Sequence, residues 1–123
     1  MAYGSKRERY PKQDKPLLEY VLAPETGHIE KRKYDHWIQS ECNYAENRFS
    51  IFHFEIDHNK TRLVREYEMN KVFKKRIIGF DITLKQARKM FYEYHVEKIK
   101  KMEQDIIKLK ELQTKIKATG GEK

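Results

Sequence analysis

The chain is expected to fold in the α+β class, as a small antiparallel sheet of about four to five strands followed by one long C-terminal helix. Three observations lead there. Residues 17–80 hold short apolar and aromatic runs separated by turn chemistry. From residue 84 onward the apolar period changes to three and four residues. Residues 1–16 contain no aliphatic residue beyond Met1 and Ala2, so they lack the material to offset ordering entropy and are expected to form a disordered basic arm.

Taken in order, Leu17 to Ala23 reads as a strand, and Pro24-Glu25-Thr26-Gly27 as a turn ending on a left-handed glycine. His28 to Gln39 returns as a second strand anchored by Tyr34, Trp37 and Ile38. Its charged run Glu30 to Lys33 must then lie on an edge or beyond the sheet. Residues 40–47 read as a polar connector. Phe49 to Ile56 is the clearest strand, with Phe52, Phe54 and Ile56 on one face and Phe49 and Ile51 on the other. Asp57 to Thr61 is a turn. Arg62 to Met69 is a strand with Leu63, Tyr67 and Met69 on one side, and Lys71 to Phe80 is a further strand.

The helix is expected to open at Thr83, whose spacing to Gln86 is that of a capping box, with Asp81 adding negative charge at its start. No proline or glycine interrupts Leu84 to Lys117, and Gly120-Gly121 ends the pattern. Ile99, Met102, Ile106, Leu109 and Ile116 fall on a seven-residue repeat in which Gln113 fills the one polar slot. A helix this long outruns a sheet of short strands, so its second half is expected to project or to pair with another helix, which allows a homodimer through that stripe. The expected organisation is an arm over 1–16, a sheet over 17–80, a helix over 81–118 packed on the sheet in a single domain 17–118, and a tail over 119–123.

Charge bounds the function. The chain carries 27 basic and 19 acidic residues, a net +8. Residues 1–16 have five basic and two acidic side chains, residues 17–58 four and eight, and residues 59–123 eighteen and nine. Basic ends suit phosphates, while the acidic middle suits a different surface. Tyr3 and Tyr10 among Lys6, Arg7 and Arg9 fit base stacking with phosphate contact. On the folded part, Lys71, Lys74, Lys75 and Arg76 form the strongest site, either tracking a phosphate backbone or guarding a strand edge against aggregation.

Chemistry is not expected. There is no glycine-rich phosphate loop, and Cys42 has no flanking nucleophile motif. His36, Cys42, His53 and His58 are the set to test for zinc, but their spacing matches no zinc framework, so neither metal nor cofactor is expected. One cysteine and no membrane-length apolar run point to a soluble cytoplasmic protein.

The opening Met1-Ala2-Tyr3-Gly4, followed by Lys6, Arg7, Arg9 and Tyr10, resembles the start of phage-encoded type II-A anti-CRISPR proteins that inhibit Cas9. The resemblance implies a binding protein acting in a host bacterial cytoplasm. Its partner would be a Cas9-type nuclease with its guide RNA, and binding would block DNA loading or cleavage. The importance of the basic arm in that family would transfer to Lys6, Arg7 and Arg9, with Lys12 next. The acidic stretch 17–58 and the heptad helix have no counterpart in this likeness. Two alternatives stand beside it: a phage or plasmid nucleic-acid-binding regulator, and a structural protein that dimerises through its helix.

Overall fold

The computed structural model describes residues 10–56 and 60–120. Six strands form one antiparallel sheet: β1 (Lys12–Leu22), β2 (Ile29–Tyr44), β3 (Asn47–Ile56), β4 (Lys60–Arg65), β5 (Val72–Phe73) and β6 (Arg76–Gly79). Their order across the sheet is β4-β3-β2-β1-β6-β5, and the chain ends in one helix, α1 (Leu84–Gly120). The α+β class therefore holds, with six strands in place of four to five.

β1 starts five residues earlier than the sequence suggests. Lys12 pairs with His36, and the register then jumps before Leu17 meets Tyr34. This irregular stretch contains Pro16, which has no N–H for the ladder. Trp37 holds it instead: its Nε1 donates to the Lys15 carbonyl (2.9 Å), and Gln13 donates to the Trp37 carbonyl (2.7 Å). The disordered arm expected through residue 16 is thus corrected at its C-terminal end. Tyr10 is buried and residues 12–16 belong to β1. Tertiary partners, not local aliphatic content, order this segment.

β2 is long because it serves two neighbours in turn. Ile29 to His36 pairs with β1, and Trp37 to Tyr44 pairs with β3. The charged run Glu30 to Lys33 therefore has β1 on one side only, as an edge segment requires. The polar connector expected over 40–47 is corrected to the end of β2, a two-residue turn and the start of β3. The turn is Ala45-Glu46, with φ of 49° and 69°, the conformation that matches the twist of a tight hairpin. Neither residue is glycine or asparagine, so the turn carries no sequence signature.

After β4, Glu66–Glu68 forms a single 3₁₀ turn, so the strand expected through Met69 ends at Arg65. Val64, not Leu63, is the residue buried on β4. The strand expected over Lys71 to Phe80 is instead a miniature hairpin, β5 and β6 joined at Lys74-Lys75, with Lys74 at φ 57°. Gly79 has a packing reason to be glycine. A Cβ there would lie 2.0 Å from Asn70 Oδ1 and 2.7 Å from Ile82 Cδ1. Gly79→Ala is expected to destabilise the protein by ~1–3 kcal/mol through overpacking, measured as a lower urea midpoint at unchanged slope.

The core lies on one face of the sheet: Leu17, Phe52, Phe54, Val64 and Ile78 are buried, with Tyr34, Trp37, Ile56, Met69 and Phe80 against them. The other face is buried too along β1 and β6, at Leu18, Tyr20 and Ile77, which is why Leu17 to Tyr20 shows no alternation. The Tyr20 hydroxyl donates to the Ile82 carbonyl, tying β1 to the segment before α1.

The helix opens as the sequence predicts. Thr83 N–H donates to Gln86 Oε1 (2.9 Å), and Gln86 N–H donates to Thr83 Oγ1 (3.1 Å), a reciprocal capping box. The chain divides into two compact units, one ending at Met90 and one beginning at Phe91. Within α1, every residue from Glu97 to Thr119 is exposed.

Candidate nucleic-acid interface

Three groups of polar and aromatic side chains stand out on the sheet unit. The first is the basic hairpin singled out by sequence. Lys71, Lys74 and Lys75 are exposed, the last two at the turn between β5 and β6, with the Lys75 carbonyl accepting from Leu22 N–H (2.9 Å). Arg76 parts from them. It opens β6 on the core side of the sheet, and its Nε lies 2.8 Å from Glu19 Oε2. The expected strand edge of four basic residues is therefore a hairpin with Lys74 and Lys75 exposed at its turn, Lys71 exposed just before β5, and an arginine directed inward.

The second group is the cluster that Arg76 joins. Glu19 is fully buried, although β1 alternation places it on the apolar face beside Leu17. Arg62 from β4 pairs directly with Glu19 Oε2, Arg32 from β2 lies 3.9 Å from Oε1, and the Tyr34 hydroxyl donates to Oε1 at 2.7 Å. Three guanidiniums surround one carboxylate, so a buried charge is paired rather than stranded. Burial first, and then the hydrogen bond to the Glu19 carboxylate, push the Tyr34 phenol up to about 12. Arg32 is held above its ordinary value chiefly by its bond to Glu30. Beside the cluster, Arg62, Arg76, Glu68 and Phe73 line an open pocket of about 200 Å³.

The third group lies on the face of the β2–β3 hairpin opposite the core. Phe49 and Ile51 point there, as their alternation predicts, with Cys42 paired to Phe49 and Arg65 paired to Ile51. Arg65 donates to the Tyr67 hydroxyl (2.6 Å), and its guanidinium stands 5.4 Å above the Phe49 ring and 5.8 Å above the Tyr67 ring. Phe49 and Tyr67 meet edge to face at 6.1 Å. The hydrogen bond from Arg65 to Tyr67 raises the arginine further above its already high value. With Tyr44, 73% exposed, and Arg48, these residues line a depression of about 680 Å³.

The third group brings the exposed rings of Tyr44 and Tyr67 together with Phe49, Arg48 and Arg65 around one depression. Such faces accept stacked bases, and guanidiniums between them pair with phosphate oxygens. Sequence reading missed it because the glycine-free turn hid Tyr44 and Arg48 in an apparent connector. The alternation of Cys42 and Tyr44 against Phe49 and Ile51 was the available signal.

The remaining sequence candidates scatter. His36 sits on β2 opposite Lys12, Cys42 opposite Phe49 and His53 opposite Ile38, while His58 lies outside the described residues. Among the described residues, no three His, Cys, Asp or Glu side chains come together as a metal site. Lys6, Arg7 and Arg9 also lie outside the described residues, and Tyr10 is buried rather than presented for stacking. No helix among the described residues is long and apolar enough to cross a membrane.

Comparison of the chain with protein-family models, with curated proteins and with solved structures finds no match.

Proposed function

We propose that this chain is a binding protein, not an enzyme, and that it engages single-stranded nucleic acid through Tyr44, Arg48, Phe49, Arg65 and Tyr67. The observation that carries this reading is the Arg65 guanidinium packed over two touching rings, Phe49 and Tyr67, on an exposed sheet face. The lysines at 71, 74 and 75 add phosphate contacts on the same net-positive chain. Bases stacked on tyrosine contribute ~1–3 kcal/mol each, so Tyr44→Ala with Tyr67→Ala is expected to weaken binding roughly a hundredfold. Both rings are more than half exposed, so the melting temperature should stay put. Fluorescence anisotropy with a short labelled oligonucleotide, titrated at several salt concentrations, checks this. Binding that ignores the tyrosines, or that shows no salt dependence, removes the interface.

A second reading is favoured by the Met1-to-Tyr10 likeness and the split charge pattern. In it the same chain occupies a guide-RNA-loaded Cas9-type nuclease, its basic residues on guide phosphates and its acidic stretch 17–58 on the nuclease's cationic channel. Occupancy of that kind requires affinity and no chemistry. DNA cleavage by purified Cas9 and guide RNA, across several orthologues and with excess protein, separates the two. Inhibition that falls when Lys6, Arg7 and Arg9 are neutralised supports the inhibitor. Full cleavage together with tight binding to bare nucleic acid supports the regulator.

A further inference from the structure

We propose that a second copy of this chain covers the exposed stripe of α1, as a parallel, in-register two-stranded coiled coil. The inference is independent of the nucleic-acid reading and starts from five residues. Ile99, Met102, Ile106, Leu109 and Ile116 are each between 49% and 64% exposed. They alternate at three and four residues over nearly three heptads, the spacing that keeps a seam facing a partner helix. Isolated surface apolar residues need no explanation, but a continuous stripe on an otherwise charged helix does.

The residues along the stripe select both the occupant and its direction. Ile99 and Ile106 take the first core position of the heptad and Met102, Leu109 and Ile116 the second. Isoleucine at the first with leucine at the second favours two parallel strands. Gln113 takes the remaining first position. In a parallel in-register pair it meets Gln113 of the second copy, and the two amides can hydrogen-bond. In the antiparallel pairing that stacks Ile106 on Leu109, Gln113 meets Met102 and is left without a partner.

The flanking charges give the same answer. In the parallel pair, Lys98 of one copy faces Glu103 of the second, and Asp105 faces Lys110, each twice by symmetry. All four residues are exposed, and Lys98 Nζ, 5.5 Å from the Tyr94 ring centroid, would leave that ring to reach Glu103 of a partner. Leu112 flanks the seam and widens it, while Ile107 falls outside.

The test is sedimentation of the whole chain, which should report two copies at about 100 µM. Lys98→Glu alone, and Glu103→Lys alone, each turn two attractions into repulsions and should weaken the dimer about tenfold. An equimolar mixture of the two variants should restore it, because every facing pair is again opposite in sign. As a second measurement, Leu109→Cys in a Cys42→Ser background should crosslink to a second copy on oxidation, since the two thiols face each other only in the parallel register. A monomer, a trimer, or a dimer indifferent to Lys98→Glu would overturn the proposal. So would a chain that is monomeric alone and held by a different protein.

Discussion

Glu19→Ala should lower the free energy of unfolding by about 3–5 kcal/mol, because it removes the one carboxylate that three arginines share. The side chains of Arg62, Arg76 and Arg32 are 24%, 38% and 42% exposed. They can therefore turn partly to water, which sets the loss nearer the lower limit. Glu19→Gln keeps the volume and one acceptor, and should cost about 2 kcal/mol, the worth of hydrogen bonds to a charged group. Urea unfolding followed by tyrosine fluorescence checks both. Equal losses for alanine and glutamine would mean that charge, not packing, dominates the site.

Phe54→Ala is expected to cost about 3–5 kcal/mol, the largest loss for an apolar position. Phe54 is fully buried near the C-terminal end of β3, its ring 4.4 Å from Tyr34 and 6.0 Å from the Arg62 guanidinium. The cavity would sit directly under two members of the Glu19 cluster. Phe54 and Glu19 thus share Tyr34 and Arg62 as neighbours, so the double substitution should cost less than the sum of the singles. Strict additivity in a double-mutant cycle would show that the aromatic floor and the ion cluster act separately.

Both positions mark where the sequence was readable and where it was not. Phe52 and Phe54 alternate with outward residues, so β3 and its buried face follow from period alone. The Thr83–Gln86 box and the uninterrupted apolar spacing beyond it likewise specify α1 locally. Glu19 was not legible as buried. Its three cationic partners come from residues 32, 62 and 76, and only the curl of the sheet collects them. The order of residues 12–16 depends in the same way on Trp37, more than twenty positions away. At the candidate interface, Phe49 and Ile51 were placed on the correct face, but the side of the hairpin bearing Tyr44 was lost with the turn. Turns are recognised by glycine and asparagine, and Ala45-Glu46 offers neither.

That short turn also makes loop length informative. Tyr44 pairs with Asn47 across only two residues, and the pairing runs unbroken from there to Trp37 and Phe54. A single inserted residue has two outlets. It can bulge out at the tip, or it can slip one strand past the other and exchange the faces of every residue beyond it. Slippage would carry Phe52 and Phe54 into water and bring Phe49 and Ile51 into the core. The cost of that exchange confines length variation to the tip itself. Among descendants of this sequence, the β2–β3 hairpin should therefore vary in residue type long before it varies in length, whereas the six-residue link Ala23 to His28 has room to lengthen.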